Sequence, residues 1–464
     1  MAEVNEDRVP WRTVAAYGAP AIGAGYMYLL LSLYVMKFAT DVLLIAPAVM
    51  GIIFSASRIW DAVTDPLVGY LSDRTTWSLG RRRTWIIFSI VPIAIAFYMV
   101  FAPPLSLSES ALIAWMAVAI IGFYSAMTIF YVPHLSLGAE LSDNYHERSR
   151  MFGARHAAYI IGCILSLVSL QLLVMEEFKP DGNVRELAAE LGMLAIVVMT
   201  ALVIYAGVKL RERPGFQGTV QATPYQAFRD VWQNPHARLL LVVTFIEHVG
   251  SSAIAALTLY VTQYIVGAPA WAAAIIFAYM LPSSVSVPLW VPLSRRYGKI
   301  KVWMGGMILY GLAFGGMFLL PFLDDVNSRL IWIILMAFFA GLANGCGGTM
   351  GPSVQGDVID YDEHLTGERK EGAYFAAWNF VQKGALGVML LLTGFVLEFA
   401  GFVPNQAQPM QVQIAMVTLY GLFPLVCYLV GAYMFSKFKL DETAHGEIRE
   451  SLGQRGVQGQ AAES

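Results

Sequence analysis

The chain has 464 residues, of which 57% are hydrophobic and 14% charged, whereas about 25% of the residues of a typical soluble protein are charged. The 30 Lys and Arg residues nearly balance the 33 Asp and Glu residues, so the formal net charge is only −3. This composition excludes a disordered chain, a nucleic-acid-binding protein and an ordinary cytosolic enzyme.

Twelve hydrophobic runs are long enough to form transmembrane helices. In chain order they cover residues 14–40, 47–71, 84–103, 110–139, 152–175, 191–210, 238–265, 270–293, 303–322, 329–350, 372–399 and 410–436. The connections after even-numbered runs are basic, whereas those after odd-numbered runs are short or acidic. By the positive-inside rule, this asymmetry predicts a multi-pass protein of the inner or plasma membrane with both termini in the cytoplasm.

The longest connection between predicted helices divides the chain into two sets of six. The predicted organisation is a cytoplasmic tail (1–13), a six-helix bundle (14–210), a cytoplasmic loop (211–237), a second six-helix bundle (238–436) and a cytoplasmic tail (437–464). A Pro-Leu segment after the second helix, Pro66–Arg74, is echoed after the eighth as Pro288–Arg296. This echo favours a duplicated six-helix unit. The all-α, six-plus-six arrangement resembles the major facilitator superfamily, in which two halves rock about a site near the membrane midplane.

The second predicted helix contains a cluster of ionisable residues, which are costly inside a bilayer and therefore indicate function. Asp61 and Asp65 are four residues apart, so a helix places them on one face. Two buried carboxylates repel unless a cation binds between them, one is protonated, or a basic group pairs with them. The Thr64 hydroxyl and a carbonyl freed by Pro66 are suitable additional ligands for Na⁺, and H⁺ is equally compatible. The structural alternative is an ion pair between Arg58 and Asp61.

Two further helices carry ionisable residues at membrane depth. Lys383, five residues after Trp378, lies about midway along the eleventh helix. We expect Asp61 or Asp65 to be its partner, in a pair that either responds to cation binding or staples the bundle. The seventh helix contains Glu247 and His248, for which substrate binding or proton relay and structural packing are equally compatible with the sequence.

Motifs of enzymes and resident metals are missing from the sequence. The three cysteines, Cys163, Cys346 and Cys427, are far from one another and from histidine, so neither a disulfide framework nor a metal site is predicted. The sequence contains no His-X-X-X-His, Gly-X-Ser-X-Gly or phosphate-binding loop. We therefore expect a transporter rather than a membrane enzyme, with no cofactor apart from a coupling ion, Na⁺ or H⁺.

The second helix and its flank also carry a family resemblance. Arg58–Gly69, Asp73-Arg74-Thr75 and Gly80–Trp85 resemble the signature of the glycoside–pentoside–hexuronide:cation symporters, the melibiose permease-like family of the major facilitator superfamily. Further matching segments extend the resemblance over nearly the whole chain: Pro133, Glu140-Leu141, Glu147–Arg150, Asp357–Tyr361, Lys383 and Gly401–Asn405. The wider group includes sodium-dependent lysophospholipid symporters, which are similar in the second helix.

The resemblance, together with the charges read from the sequence, implies roles for individual residues. The cation-binding residues would be Asp61, Asp65, Thr64 and Thr128, with Asp61 and Asp65 as the ligands of Na⁺ if the protein is sodium-coupled. The residues for coupling or substrate binding would be Lys383, Arg155, Tyr131, Gly25, Trp378, Glu247 and Arg58. The residues of a cytoplasmic gate would be Asp73, Arg74, Arg81, Arg82, Glu140, Arg148, Arg295, Asp357 and Asp360.

Two positions depart from the family pattern. Where the melibiose permease-like pattern has sugar-binding Asp residues in its first and fourth helices, gap-free counting places Gly25 and Tyr131. Glycine cannot replace a carboxylate that binds two sugar hydroxyls, and tyrosine can do so only in part. The cation half of the site is therefore expected to be intact and the galactoside half altered.

The resulting prediction is a monomeric secondary transporter in the lipid bilayer, with no nucleic-acid partner. It would couple Na⁺ or H⁺ to uptake of a small solute by alternating access. A sugar, glycoside or sugar acid is the first candidate for the solute, and a lysophospholipid or other amphiphile is the alternative.

Overall fold

The computed structural model describes residues 9–141, 145–212, 229, 231–366, 371–440, 444–448 and 450–451. Within these ranges the chain is helical apart from short connections, and no strand occurs. Three predicted segments lie largely outside them: the central loop and the two tails.

The first half of the chain contains eight helical segments. They are α1 (Trp11–Gly18), α2 (Pro20–Lys37), α3 (Pro47–Asp73), α4 (Arg81–Phe88), α5 (Ile90–Phe101), α6 (Glu109–Glu140), α7 (Tyr145–Glu177) and α8 (Val184–Lys209). A π-helical turn, Phe38–Val42, extends α2. Short interruptions at Ala19 and Ser89 therefore leave Trp11–Val42 and Arg81–Phe101 as continuous hydrophobic segments.

In the described part of the second half, eight more α-helices have defined bounds. They are α9 (Pro235–Tyr260), α10 (Ala272–Val285), α11 (Val287–Tyr297), α12 (Lys299–Gly316), α13 (Val326–Thr366), α14 (Glu371–Phe399), α15 (Met410–Val417) and α16 (Phe423–Phe435). A π-helical turn, Thr418–Leu422, joins α15 to α16. The 41-residue α13 reaches well beyond the predicted span at 329–350 because its polar second part continues the helix.

Many of these segments are long and apolar enough to cross a membrane. In the part of the chain that the structure describes, ten pass by length and composition, and the pair α10 and α11, bent by 48°, makes eleven if it forms one span. The 27-residue α3 is also long, but its ionisable side chains lower its mean hydropathy. The helix predicted second is therefore distinguished by charge and not by length.

A pair of glycines marks equivalent places in the two halves. Gly80 precedes α4 with φ 110°, and Gly298 precedes α12 with φ 84°. Because residues with a Cβ rarely adopt positive φ, both tight turns favour glycine. Each turn follows one of the two Pro-Leu segments identified in the sequence. The repeat in the sequence is therefore accompanied by a repeat in backbone conformation.

The residues cluster into two compact units. Unit one comprises Met1–Val220 with Leu390–Gln406, and unit two comprises Gln221–Met389 with Ala407–Ser464. The last part of α14 therefore packs with the first half of the chain: Glu398 accepts a hydrogen bond from the backbone N–H of Ala48 at 3.1 Å. Close backbone approach requires small residues there, since a Cβ on Gly51 would lie 2.9 Å from the carbonyl oxygen of Leu390.

Candidate functional site

The two carboxylates of α3 meet one hydroxyl of α6. Thr128 Oγ1 lies 2.8 Å from Asp61 Oδ1 and 2.9 Å from Asp65 Oδ1. A threonine hydroxyl has a single hydrogen, so it donates to only one of the two oxygens. These contacts place one oxygen of each carboxylate beside the same hydroxyl, an arrangement that is compatible with a shared proton or cation. The predicted cation-binding residues Asp61, Asp65 and Thr128 are thus brought together, and Asp61 and Thr128 are buried.

Two other residues of α3 border this carboxylate pair. The Thr64 hydroxyl donates to the backbone carbonyl of Asp61 at 3.3 Å, within its own helix. The guanidinium of Arg58 lies 3.9 Å from Asp61 Oδ2, which is too far for a hydrogen bond. Its centre lies 3.5 Å from the ring centroid of Tyr124, a cation–π contact. Arg58 is thus held mainly over Tyr124, and its ion pair with Asp61 is at the edge of contact.

Arg155 and Tyr131 form a second group in unit one. The guanidinium carbon of Arg155 lies 4.9 Å from the Tyr131 ring centroid, and both residues are half-buried. The Nε atom of Arg155 is buried and has no hydrogen-bond partner among the residues described. A basic group and an aromatic face in this arrangement are suited to an oxygen-rich solute with an apolar ring face.

Gly25 is a helix-packing position. A Cβ at this residue would collide with the carbonyl oxygen of Tyr159 on α7. Position 25 therefore has no room for any side chain, acidic or otherwise. Gap-free counting had placed it among the substrate-binding residues; the structure places it in the contact between α2 and α7.

In unit two, Glu247 and Trp378 line one cavity of about 340 Å³. Glu247 is 7% exposed, and Trp378 is oriented by a 3.0 Å hydrogen bond from its Nε1 to the Thr244 hydroxyl. His248, which also lines the cavity, contacts the backbone carbonyl of Thr244 through Nδ1 at 2.9 Å. Lys383 is half-buried on α14, the helix of Trp378. Its predicted pairing with Asp61 or Asp65 stays a prediction.

The family signature recognised in α3 includes Asp61 and Asp65, two of the residues of this site. Comparison with known proteins identifies the family. Residues 16–442 match the family described as MFS/sugar transport protein. The chain belongs to this family. Within it, the relatives place the chain among the glycoside–pentoside–hexuronide:cation symporters, and it is a membrane-embedded transporter rather than an enzyme.

Two relatives and one solved structure illustrate the similarity. The putative sulfoquinovose importer of Salmonella typhimurium is 27% identical over 461 residues, covering 96% of this chain and 93% of the relative. The sodium-dependent lysophosphatidylcholine symporter 1 of Xenopus tropicalis is 25% identical, covering 91% and 86%. A bacterial homologue of the human lysosomal transporter Spinster shares the fold, with a TM-score of 0.66, 13% identity and coverage of 93% and 98%.

The residues predicted to form a gate in this transporter have local partners in unit one. Arg82 Nη1 donates to the Ser72 hydroxyl at 2.6 Å, and Arg74 lies over the ring of Tyr70, 4.1 Å from its centroid. The carboxylate of Glu212 accepts hydrogen bonds from three successive backbone N–H groups, those of Arg81, Arg82 and Arg83, at 2.7–2.8 Å. Glu212 thereby caps α4, as an anion at a helix N-terminus does. It was missed because it stands within a basic stretch.

Two residues of unit two that are predicted to belong to a gate, Asp357 and Asp360, lie in a charge cluster. Lys299 Nζ lies 2.8 Å from Asp357, and His445 Nε2 lies 2.9 Å from Asp360 and 3.6 Å from Asp357. Arg295 is exposed. The side chains of Asp73, Glu140 and Arg148 lie outside the described residues. Lys299 and His445 were not predicted as partners, since nothing in the local sequence connects them to α13.

A buried ionic cluster in unit one was also missed. Lys37 Nζ contacts Glu177 at 2.6 Å and Asp41 at 3.3 Å, and Lys37 is 2% exposed. Lys37 and Glu177 are 140 residues apart in sequence. Ion pairs of this kind lower the free-energy cost of burying charged side chains in a membrane protein.

Proposed function

We propose that the protein is a cation-coupled symporter that binds Na⁺ or H⁺ at Asp61, Asp65 and Thr128. The observation that carries the proposal is the single hydroxyl within 2.9 Å of both carboxylates. Without a bound cation the two negative charges repel one another across this hydroxyl. A cation relieves the repulsion and draws α3 and α6 together, so its binding changes the packing of the two helices.

The proposed cargo is a small sugar, glycoside or sugar acid. One relative named above is described as a putative sulfoquinovose importer. In this chain, Arg155 over Tyr131 and the cavity at Glu247 and Trp378 supply charged, polar and aromatic groups. Proteins bind sugars with such groups, because hydroxyls need hydrogen-bond partners and the ring needs an apolar surface.

Transport would follow alternating access between two six-helix halves. The proposal includes twelve spans, both termini in the cytoplasm of the inner or plasma membrane, and a monomeric transporter. Cation and solute affinity must then be coupled reciprocally, because each favours the same conformation. We propose that Lys383 neutralises the charge of the carboxylates when the cation has left. The charged residues around Arg82 and Asp357 would exchange their ion-pair partners as the gate opens.

The second candidate is cation-coupled transfer of a lysophospholipid or another amphiphile. The lysophosphatidylcholine symporter is a relative over most of the chain. The lack of a carboxylate at Gly25 and Tyr131 is compatible with a less polar cargo. It would require an apolar path for an acyl chain in addition to the polar groups described above.

Uptake by purified protein in liposomes tests the proposal. Neutral sugars, glycosides, sugar acids and a lysophospholipid would be compared with an inward Na⁺ gradient, an inward H⁺ gradient and no gradient. We expect accumulation of one sugar class under one gradient, and loss of accumulation in Asp61→Asn and Asp65→Asn. Asp325→Asn, in an exposed connection, is the matched control. Full accumulation by Asp61→Asn would refute the proposed cation site, and accumulation of lysophospholipid alone would select the second candidate.

A further inference from the structure

The cavity around Glu247 is a built polar site within unit two. Its wall is formed by α9, α12, α13, α14 and α16, and its volume of about 340 Å³ is in the range of small-molecule sites. All of its lining residues belong to unit two. The lining therefore includes neither of the carboxylates of α3.

Glu247 is the unusual member of this wall. Its side chain is 7% exposed, and among the residues that the structure describes it has no hydrogen bond and no ion pair. A buried carboxylate without a partner is costly, particularly at membrane depth. The contrast with Glu177 is direct, since that carboxylate is bound by Lys37 at 2.6 Å. Packing alone therefore does not account for the Glu247 carboxylate, which faces a cavity.

The remaining polar groups of the wall can both donate and accept hydrogen bonds. Gln355 and Gln382 line the cavity and have no hydrogen bond to another residue in the described ranges. Asn344 uses an amide hydrogen on the Ser283 hydroxyl at 2.8 Å, which leaves its carbonyl oxygen available. Trp303 and Trp378 add aromatic surface.

We infer that this cavity is a binding subsite for a neutral sugar, in which Glu247 accepts hydrogen bonds from ring hydroxyls. The inference rests on the proposed function, and it narrows the cargo. Two adjacent hydroxyls can donate to one carboxylate, while the amides bind further hydroxyls and a tryptophan contacts the ring face. An anionic sugar would place a second acidic group beside Glu247, whereas a neutral sugar does not. Glu247 thus supplies the acidic hydroxyl acceptor that positions 25 and 131 lack.

Binding to the purified full-length protein in nanodiscs tests the subsite without requiring transport. Glucose, methyl β-glucoside, xylose and glucuronate are the probes, with tryptophan fluorescence and calorimetry as readouts. We expect a neutral sugar to bind tightest, and Glu247→Gln to weaken it about 10- to 100-fold, as expected for loss of a charge-assisted hydrogen bond. Glu186→Gln, exposed on α8, should leave affinity unchanged.

Deoxy analogues of the tightest-binding sugar make the test specific for hydroxyl recognition. The analogue that lacks a hydroxyl bound by Glu247 should bind more weakly than the parent sugar to wild type but equally to Glu247→Gln, because the interaction is already lost. Folding is checked in parallel by thermal unfolding. Since Glu247 has no hydrogen bond or ion pair within the described ranges, Glu247→Gln should unfold at the same temperature as wild type or higher. A large fall would show that the carboxylate is a structural group and would overturn the inference.

A second variant blocks the cavity from another wall. A Cβ at Gly348 would have no atom within 4 Å, so Gly348→Val places its side chain in open space. We expect it to lower sugar affinity without lowering stability. Unchanged affinity in both variants overturns the subsite, as does failure of every neutral sugar to bind wild type. If binding depends on Glu247 but Asp65→Asn still accumulates solute, the subsite stands and the cation proposal fails.

Discussion

The Thr128 hydroxyl provides the sharpest test of the cation site. Thr128→Val keeps the shape of the side chain and removes a hydroxyl that contacts both carboxylates, at 2.8 and 2.9 Å. One hydrogen bond to a charged group is lost, which corresponds to about 1.5–3 kcal/mol. We therefore expect the cation concentration for half-maximal uptake to rise about 10- to 100-fold.

The measurement is solute uptake by liposomes over a range of Na⁺ concentrations, and of pH if H⁺ is the coupling ion. At saturating cation, the solute KM should return towards the wild-type value, because the change acts through cation binding. Thr393→Val is the matched control: Thr393 is fully buried in unit one and its hydroxyl has no partner within the described residues. Equal cation dependence in Thr128→Val and wild type would refute the assignment of Thr128.

Three stability predictions follow from contacts outside the cation site, and thermal unfolding in detergent checks each. Gly25→Ala should destabilise by about 1–3 kcal/mol through overpacking, whereas Gly153→Ala, with open space around its Cβ, should be neutral or stabilising; equal effects would contradict the packing role. Glu212→Ala should cost about 0.5–2 kcal/mol by uncapping α4, and an unchanged midpoint would count against the cap. Lys37→Met should cost about 3–5 kcal/mol because it strands Glu177; a smaller loss than in Glu212→Ala would show that the ion pair contributes little.

The sequence predicted the elements of the proposed cation site because they depend on local spacing. Asp61 and Asp65 share a face of α3 by helix geometry alone, and the resemblance added Thr128. Spacing could not show that one hydroxyl touches both carboxylates, since that depends on how α6 packs on α3. The same limit applies to Lys37 and Glu177, whose contact joins helices far apart in the chain.

Other departures have equally local causes. The resemblance placed Gly25 at a sugar-binding position, but the close approach of α7 leaves no room for a side chain there. Glu212 stands among basic residues, and nothing in the local sequence connects it to the first turn of α4, which it caps. Glu247 was found by its depth in the seventh helix, but its lack of a partner and its cavity became visible only when five helices were packed around it.

The three settings of buried carboxylates explain why charge is informative in this chain. Glu177 is neutralised by a lysine, so its burial is stable in every conformation that keeps α2 and α7 together. Asp61 and Asp65 both contact the Thr128 hydroxyl, and a proton or cation that can leave is their proposed partner. Glu247 faces a cavity, and a molecule that enters it is its proposed partner. The cost of burying charge thus separates a permanent contact from two that we propose to be exchangeable, and a symporter needs two exchangeable sites.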